Sequence, residues 1–204
     1  MSADTILLST AYLPHLTYLA RLLQADTIYI EAQEYFVKQT YRNRCDILTS
    51  NGRLSLSVPL IKQSDKELIT LKRISYAENW QQQHWRTITS AYKSSPYFEF
   101  FEDDFKPFYQ NKYDFLFDYN LELLKMVLHL LRIKKSIHLT DKFEATPEEI
   151  SDFRCLSALL APAFTPTPYY QVFPHVSGFI PNLSCIDALF NVGLETLCLS
   201  SIKP

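Results

Sequence analysis

The chain has 204 residues, 47% of them hydrophobic and 21% charged, with a formal net charge of −2. That suits one ordinary globular domain over residues 1–204 and gives no general electrostatic case for nucleic acid. Only three glycines are present, so no glycine-rich phosphate loop exists.

Thr5–Ser9 is a short apolar run and reads as a buried strand. Pro14 stands where a first helical turn tolerates it, and Leu16, Leu19, Ala20, Leu22 and Leu23 follow at helical spacing. Thr27–Ile30 is a second β-branched run. Strand, helix and strand in about thirty residues make a βαβ unit with parallel strands. Ligands of such sheets bind at the carboxyl ends of the strands, here Thr10–Tyr12 and Glu31–Glu34.

Asp46–Ser50 and Arg53–Val58 flank Asn51-Gly52, which predicts a hairpin turning there. Ile69–Ile74 is expected to be a further short strand. From Glu78 to Ile133 the pattern is helical, with helices expected at about 79–93, 98–109 and 113–131. Ile137–Leu139 is a short strand candidate. Thr146-Pro147-Glu148-Glu149 carries the signature of a helix start. Leu160–Pro168 reads as proline-rich and irregular. Ser184 is a good N-cap for a helix carrying Ile186, Leu189 and Phe190. The fold class is therefore α/β: a mostly parallel sheet opening on βαβ, plus a hairpin and a helical segment.

Four candidate groups carry chemistry. Arg42 and Arg44 alternate on an extended segment and point the same way, so they can clamp phosphate or carboxylate. They can equally be a solvated strand edge. If buried, at least one should pair with Asp187 or another carboxylate. His84 lies on a helix and is a general-base candidate, as is His15 beside the first strand, although a lone histidine is more often structural. Asn182, Ser184 and Asp187 sit at the mouth of the last clear helix, where free N–H groups attract anions. The plainer reading is a capped helix with a solvated first-turn aspartate.

The cysteines Cys45, Cys155, Cys185 and Cys198 show no CxxC spacing and are expected to be small buried hydrophobes. Neither they nor the histidines have metal-ligand spacing, so no metal is expected. No signal peptide or run of about 18 apolar residues is visible, so the expectation is a cytoplasmic protein without a spanning helix.

Several of these stretches occur together in one known group. They are Thr10–Pro14 with Tyr18, Tyr41–Arg44, the hairpin through Val58-Pro59, His84-Trp85, Ser90–Tyr92 and Pro96–Phe98. Phe179–Ser184, Ile186-Asp187, Phe190-Asn191 and Gly193 with Glu195 complete the set. In this order the chain resembles the WbqC-like protein family of bacteria. The resemblance implies a role in cell-surface polysaccharide (O-antigen) synthesis, with transfer of an amino acid such as glycine to a sugar. The chain departs from the pattern at Ser9–Tyr12, where many relatives carry Gln-Pro before the aromatic. It also lacks a glycine-containing segment between Ile133 and Tyr169.

Two functions follow. In the first, a transferase holds an anionic small molecule or sugar in one cleft lined by Tyr12, Arg42, Asn43, Arg44, His84, Asn182, Ser184 and Asp187. Arg42 and Arg44 would hold phosphate or carboxylate, His84 or Asp187 would take a proton, and Asn182 and Ser184 would orient the substrate. In the second, the same cleft serves non-catalytic ligand binding or partner recognition, which the 14 Phe and 13 Tyr would suit. Cofactor and oligomeric state are not legible from the sequence.

Overall fold

The computed structural model describes residues 4–62, 66–160, 166–173 and 178–199. β1 (Thr5–Ser9), α1 (Leu16–Gln24) and β2 (Thr27–Glu31) form the βαβ unit, with Thr5 opposite Thr27 and Ser9 opposite Glu31 in a parallel ladder. The run of apolar residues in β1 is buried, as strands covered on both faces require. β5 (Ile137–Leu139) pairs with β2 and β6 (Ser151–Asp152) pairs with β1, both in parallel. The sheet order is β5-β2-β1-β6. The chain leaves β1 toward β2 on one side, while β6 lies on the other. The β1/β6 crevice is thus a topological switch point, where open α/β sheets bind ligands.

β3 (Arg44–Thr49) and β4 (Gly52–Ser57) form a separate antiparallel hairpin. Its turn sits one residue earlier than the sequence predicts. Thr49 pairs with Gly52, so Ser50 and Asn51 are the loop; both keep negative φ, and only Gly52 is left-handed at +95°. The ladder runs unbroken to the Thr49–Gly52 pair, and the Thr49 hydroxyl donates to the Gly52 carbonyl at 2.9 Å.

The helical segment comprises α2 (Trp80–Tyr92), α3 (Phe98–Phe105) and α4 (Leu116–Leu130). The second expected helix divides before Pro107, and Lys106–Tyr109 continues as a 3₁₀ turn. These helices bury Tyr12, Tyr92, Phe98, Phe105, Tyr119 and Phe190 in an aromatic core. α5 (Leu156–Leu159), α6 (Cys185–Val192) and α7 (Thr196–Leu199) follow.

Two expected elements differ. Ile69–Leu71 is a 3₁₀ turn rather than a strand, because Ile69 N–H bonds Glu34 while Lys72 N–H returns to Ile69. Thr146–Glu149 starts no helix; Glu149 turns left-handed at φ +59°, which ends any helical path. Most of the irregular stretch expected at Leu160–Pro168, and His175, lie outside the described residues.

Gly52→Val should destabilise the protein by about 1 kcal/mol or more, because a β-branched residue is strained at that φ. A urea midpoint equal to that of the parent would contradict this role for Gly52.

Candidate functional site

The carboxyl edge of β1 and β6 holds a cavity of about 260 Å³. Three arginines line it: Arg42, Arg44 and Arg154. Two are already neutralised. Arg42 grips Glu34 with two bonds, Nε to Oε1 at 2.8 Å and Nη2 to Oε2 at 2.5 Å, and its Nη2 also reaches Ser9 Oγ at 2.7 Å. Arg154 donates to Glu31 Oε2 at 2.8 Å and to Asp152 Oδ2 at 2.6 Å, and stacks over Phe143. Glu31 and Glu34 are both buried at the end of β2, where only such pairing makes a carboxylate tolerable.

Arg44 differs. It makes no salt bridge or side-chain hydrogen bond among the described residues, and its Nε is buried without a partner. The sequence expectation of an arginine pair therefore resolves into one structural arginine, paired with a carboxylate, and one uncommitted cation. Hydroxyls of Thr10, Thr40, Tyr41 and Ser55 and an apolar wall of Phe153, Leu156 and Leu159 also line the cavity, as does one carboxylate, Asp46, which is paired with Arg53 at 3.6 Å and accepts from the Ser55 hydroxyl.

His15 also lines it. Asn182 accepts the Thr17 backbone N–H at 3.0 Å, the Thr17 hydroxyl at 2.8 Å and His15 Nδ1 at 3.1 Å, all at one side-chain atom. A backbone N–H can only donate, so that atom is the oxygen. His15 Nδ1 therefore carries the proton, and Nε2 presents a bare lone pair, buried and unpartnered. Burial lowers the His15 pKa to about 4, so the ring is neutral near pH 7.

The other residues singled out by sequence stand elsewhere. Ser184 does not cap its own helix; its hydroxyl donates to the Leu13 carbonyl at 2.8 Å. Cys185 N–H is taken by the Pro14 carbonyl, so this helix start is occupied by protein rather than open to an anion. Asp187 is buried, not solvated, and accepts from Tyr92 at 2.9 Å, Tyr169 at 2.5 Å and Gln171 at 3.0 Å. Burial raises its pKa against the pull of those three donors. Tyr12 and His84 share a bond of 3.0 Å inside the aromatic core, where Tyr12 also meets Tyr109 at 2.9 Å. Burial lowers the His84 pKa to about 4. Asn43 binds the Val58 carbonyl at 3.0 Å and holds the hairpin entry. None of Tyr12, Asn43, His84, Asn182, Ser184 and Asp187 lines the three-arginine cavity.

Sequence reasoning missed Arg154, Glu34 and Ser9. Arg154 follows a two-residue strand too short to signal itself. Glu34 lay within the strand-end stretch already marked as the ligand edge. Cys45 and Cys185 are buried as expected, whereas Cys155 and Cys198 are exposed; all four are free. No group of three or more metal-ligating side chains occurs among the described residues, nor is any helix among them long and apolar enough to cross a membrane.

The sequence profile of the WbqC-like protein family matches residues 10–160, well over half of the chain. No curated protein matches the chain, and no solved structure does.

Removing Glu34 leaves Arg42 buried and unpaired, so Glu34→Ala should cost about 3–5 kcal/mol in a denaturant titration. A cost below 1 kcal/mol would mean that water already reaches the pair. The histidines set a pH dependence. The unfolded chain takes up protons near pH 6.5 that the folded chain refuses until about pH 4. Their contribution is thus full above that upper value and is lost as pH falls toward the lower one. His84→Gln should flatten the stability–pH slope in this window, by up to about 3 kcal/mol at its acid end. An unchanged slope would place the titration elsewhere.

Proposed function

This chain belongs to the WbqC-like protein family, and on that premise we propose that it is a transferase of cell-surface polysaccharide synthesis. It holds an anionic substrate in the cavity at the carboxyl edge of β1 and β6. Arg44 carries this reading: it is a cation at the switch point of a parallel sheet, without a carboxylate partner, beside two arginines that have one. Arg44 is half-buried, with its Nε closed to solvent and without a partner, a cost that a bound anion would offset.

The chemistry follows from the lining. Arg44 takes the phosphate or carboxylate of the ligand. Arg42 and Arg154 keep the wall rigid, because each is tied by its own carboxylates. His15, which lines the cavity as the core residue His84 does not, is the proton acceptor of this reading through Nε2, which the arriving substrate has to uncover because it is closed to solvent in the unliganded chain. For transfer of an amino acid such as glycine, a sugar hydroxyl or amine attacks the carbonyl carbon of an activated aminoacyl donor. The new C–O or C–N bond forms, the bond to the leaving group breaks with its electron pair, and the attacking group's proton passes to His15. Asp187, Asn182 and Ser184 act on this site by fixing the helices around it.

A thermal-shift screen with nucleotide sugars and aminoacyl compounds tests the reading, since a ligand of the folded state raises its midpoint by mass action. Arg44→Ala should weaken the binder by roughly 2–5 kcal/mol while leaving the unliganded midpoint in place. His15→Gln should retain binding and lower turnover by about 10²–10⁴-fold. A screen in which no anionic ligand shifts the midpoint would remove the substrate site and leave partner recognition as the function.

A further inference from the structure

The outer edge of β4 is open. Thr49 faces Gly52 across a two-residue loop, so they are a hydrogen-bonded pair. Along an antiparallel ladder such pairs alternate with pairs whose backbone groups point away from the partner strand. Leu48 and Asp46 on β3, and Arg53 and Ser55 on β4, are of the outward kind. On β3 the molecule itself covers this edge: Leu48 N–H goes to the Tyr92 hydroxyl at 3.2 Å, and the Asp46 carbonyl takes Ser184 N–H at 2.8 Å. On β4 the backbone N–H and C=O groups of Arg53 and Ser55 have no partner among the described residues, and both residues are exposed.

A bare edge is a template for another strand, and proteins ordinarily blunt it with lysine, proline or a bulge. β4 has none of these between Gly52 and Ser57. Its one charged residue, Arg53, is turned toward its own chain, to Asp46 at 3.6 Å and to the Pro181 carbonyl at 3.3 Å. Leu54, between the two outward residues, is 41% exposed. Beside it the small side chains of Ser90 and Ala91 in α2 leave a depression of about 210 Å³. An incoming strand thus finds main-chain partners and room for a side chain, the two requirements of strand addition.

The register is restricted. The Ser57 carbonyl already accepts from the His84 ring, and Pro59 has no N–H to offer. That leaves Arg53 and Ser55. A second copy of the same edge, running antiparallel about a two-fold axis at Leu54, matches them. Arg53 of each chain opposes Ser55 of the other as a hydrogen-bonded pair, and Leu54 opposes Leu54 in the close pair between them. No like charges stand directly opposite.

We propose that two copies of the chain pair through β4 in this register and form one sheet of four strands, β3-β4-β4-β3. The contact is isologous and closes at two copies. It sets Arg53 of each copy beside Ser55 of the other, a residue in the wall of the three-arginine cavity, whatever that cavity binds.

Sedimentation equilibrium of the full chain, up to about 100 µM, tests the proposal. The expected result is a monomer when dilute and a dimer when concentrated, reversible on dilution because one strand pair is a small contact. Leu54→Lys puts like charges opposite each other and should weaken the dimer by about tenfold or more, as should Leu54→Glu. An equimolar mixture of the two variants should restore it, because only a residue 54 that faces its own copy brings lysine against glutamate. Ser55→Pro, whose lost N–H points away from β3, should also yield a monomer, and it serves should a charge variant fail to fold. A parent chain monomeric throughout the range overturns the proposal. So does a dimer indifferent to both charge variants, or a mixture that stays monomeric, since either places the contact away from Leu54.

Discussion

Two helix starts hold each other, and the rest of the site depends on that contact. The first turn of any α-helix leaves N–H groups without partners. At α1 they are met from far along the chain: Leu16 N–H goes to the Leu183 carbonyl at 3.2 Å and Thr17 N–H to Asn182. At α6 the debt is reciprocal, with Cys185 N–H on the Pro14 carbonyl at 2.7 Å and the Ser184 hydroxyl on the Leu13 carbonyl. The geometry requires left-handed backbone at Leu13 (+43°) and Asn182 (+58°). Such strain persists only where surrounding contacts over-determine it, and here each strained residue sits beside a carbonyl or amide that caps the other helix. The same arrangement fixes the His15 tautomer.

The second constraint is electrostatic. Buried carboxylates at the end of β2 and buried arginines from two distant segments neutralise one another. Breaking either pair leaves a bare charge in a poorly solvated place, which makes both pairs rigid features of the cavity wall. Arg44 shares the wall and escapes this pairing because it lies two residues after Arg42, at the start of the hairpin, where Glu34 is already engaged. Proximity to a carboxylate, not residue type, separates the structural arginine from the available one.

How much of this was legible depends on the range of the interaction. The βαβ unit and the hairpin were readable because local patterns carry them: β-branched runs, a helical apolar stripe and Asn-Gly. The Thr146–Glu149 stretch carried an equally good local signal and forms no helix, because Ser151-Asp152 is drawn into the sheet as a strand beside β1, a pairing no local pattern announces. At the site, Arg42 and Arg44 were visible as a pair, but their different fates depend on Glu34 and Ser9, which only folding brings near. Ser184 looked like a cap for its own helix and instead serves the turn before α1. Asp187 looked solvated, and its three donors come from α2 and from residues 169–171. Each of these misreadings replaced a long-range partner by a local one.

This range also bears on where the folded unit ends. The family profile stops at residue 160, yet α1 begins correctly only with Asn182 and Leu183 in place. Tyr92 makes the same link from the other side: its hydroxyl accepts Leu48 N–H from the hairpin at 3.2 Å and donates to Asp187 in α6. Cutting the chain after residue 160 would therefore expose α1 amides, remove the acceptor that orients His15, and strip the Tyr92 hydroxyl of its acceptor within the core. The segment from residue 178 onward contributes no lining residue to the three-arginine cavity. It nevertheless decides the state of one that does, because Asn182 Oδ1 accepts from His15 Nδ1 and so leaves the lone pair of that ring on Nε2.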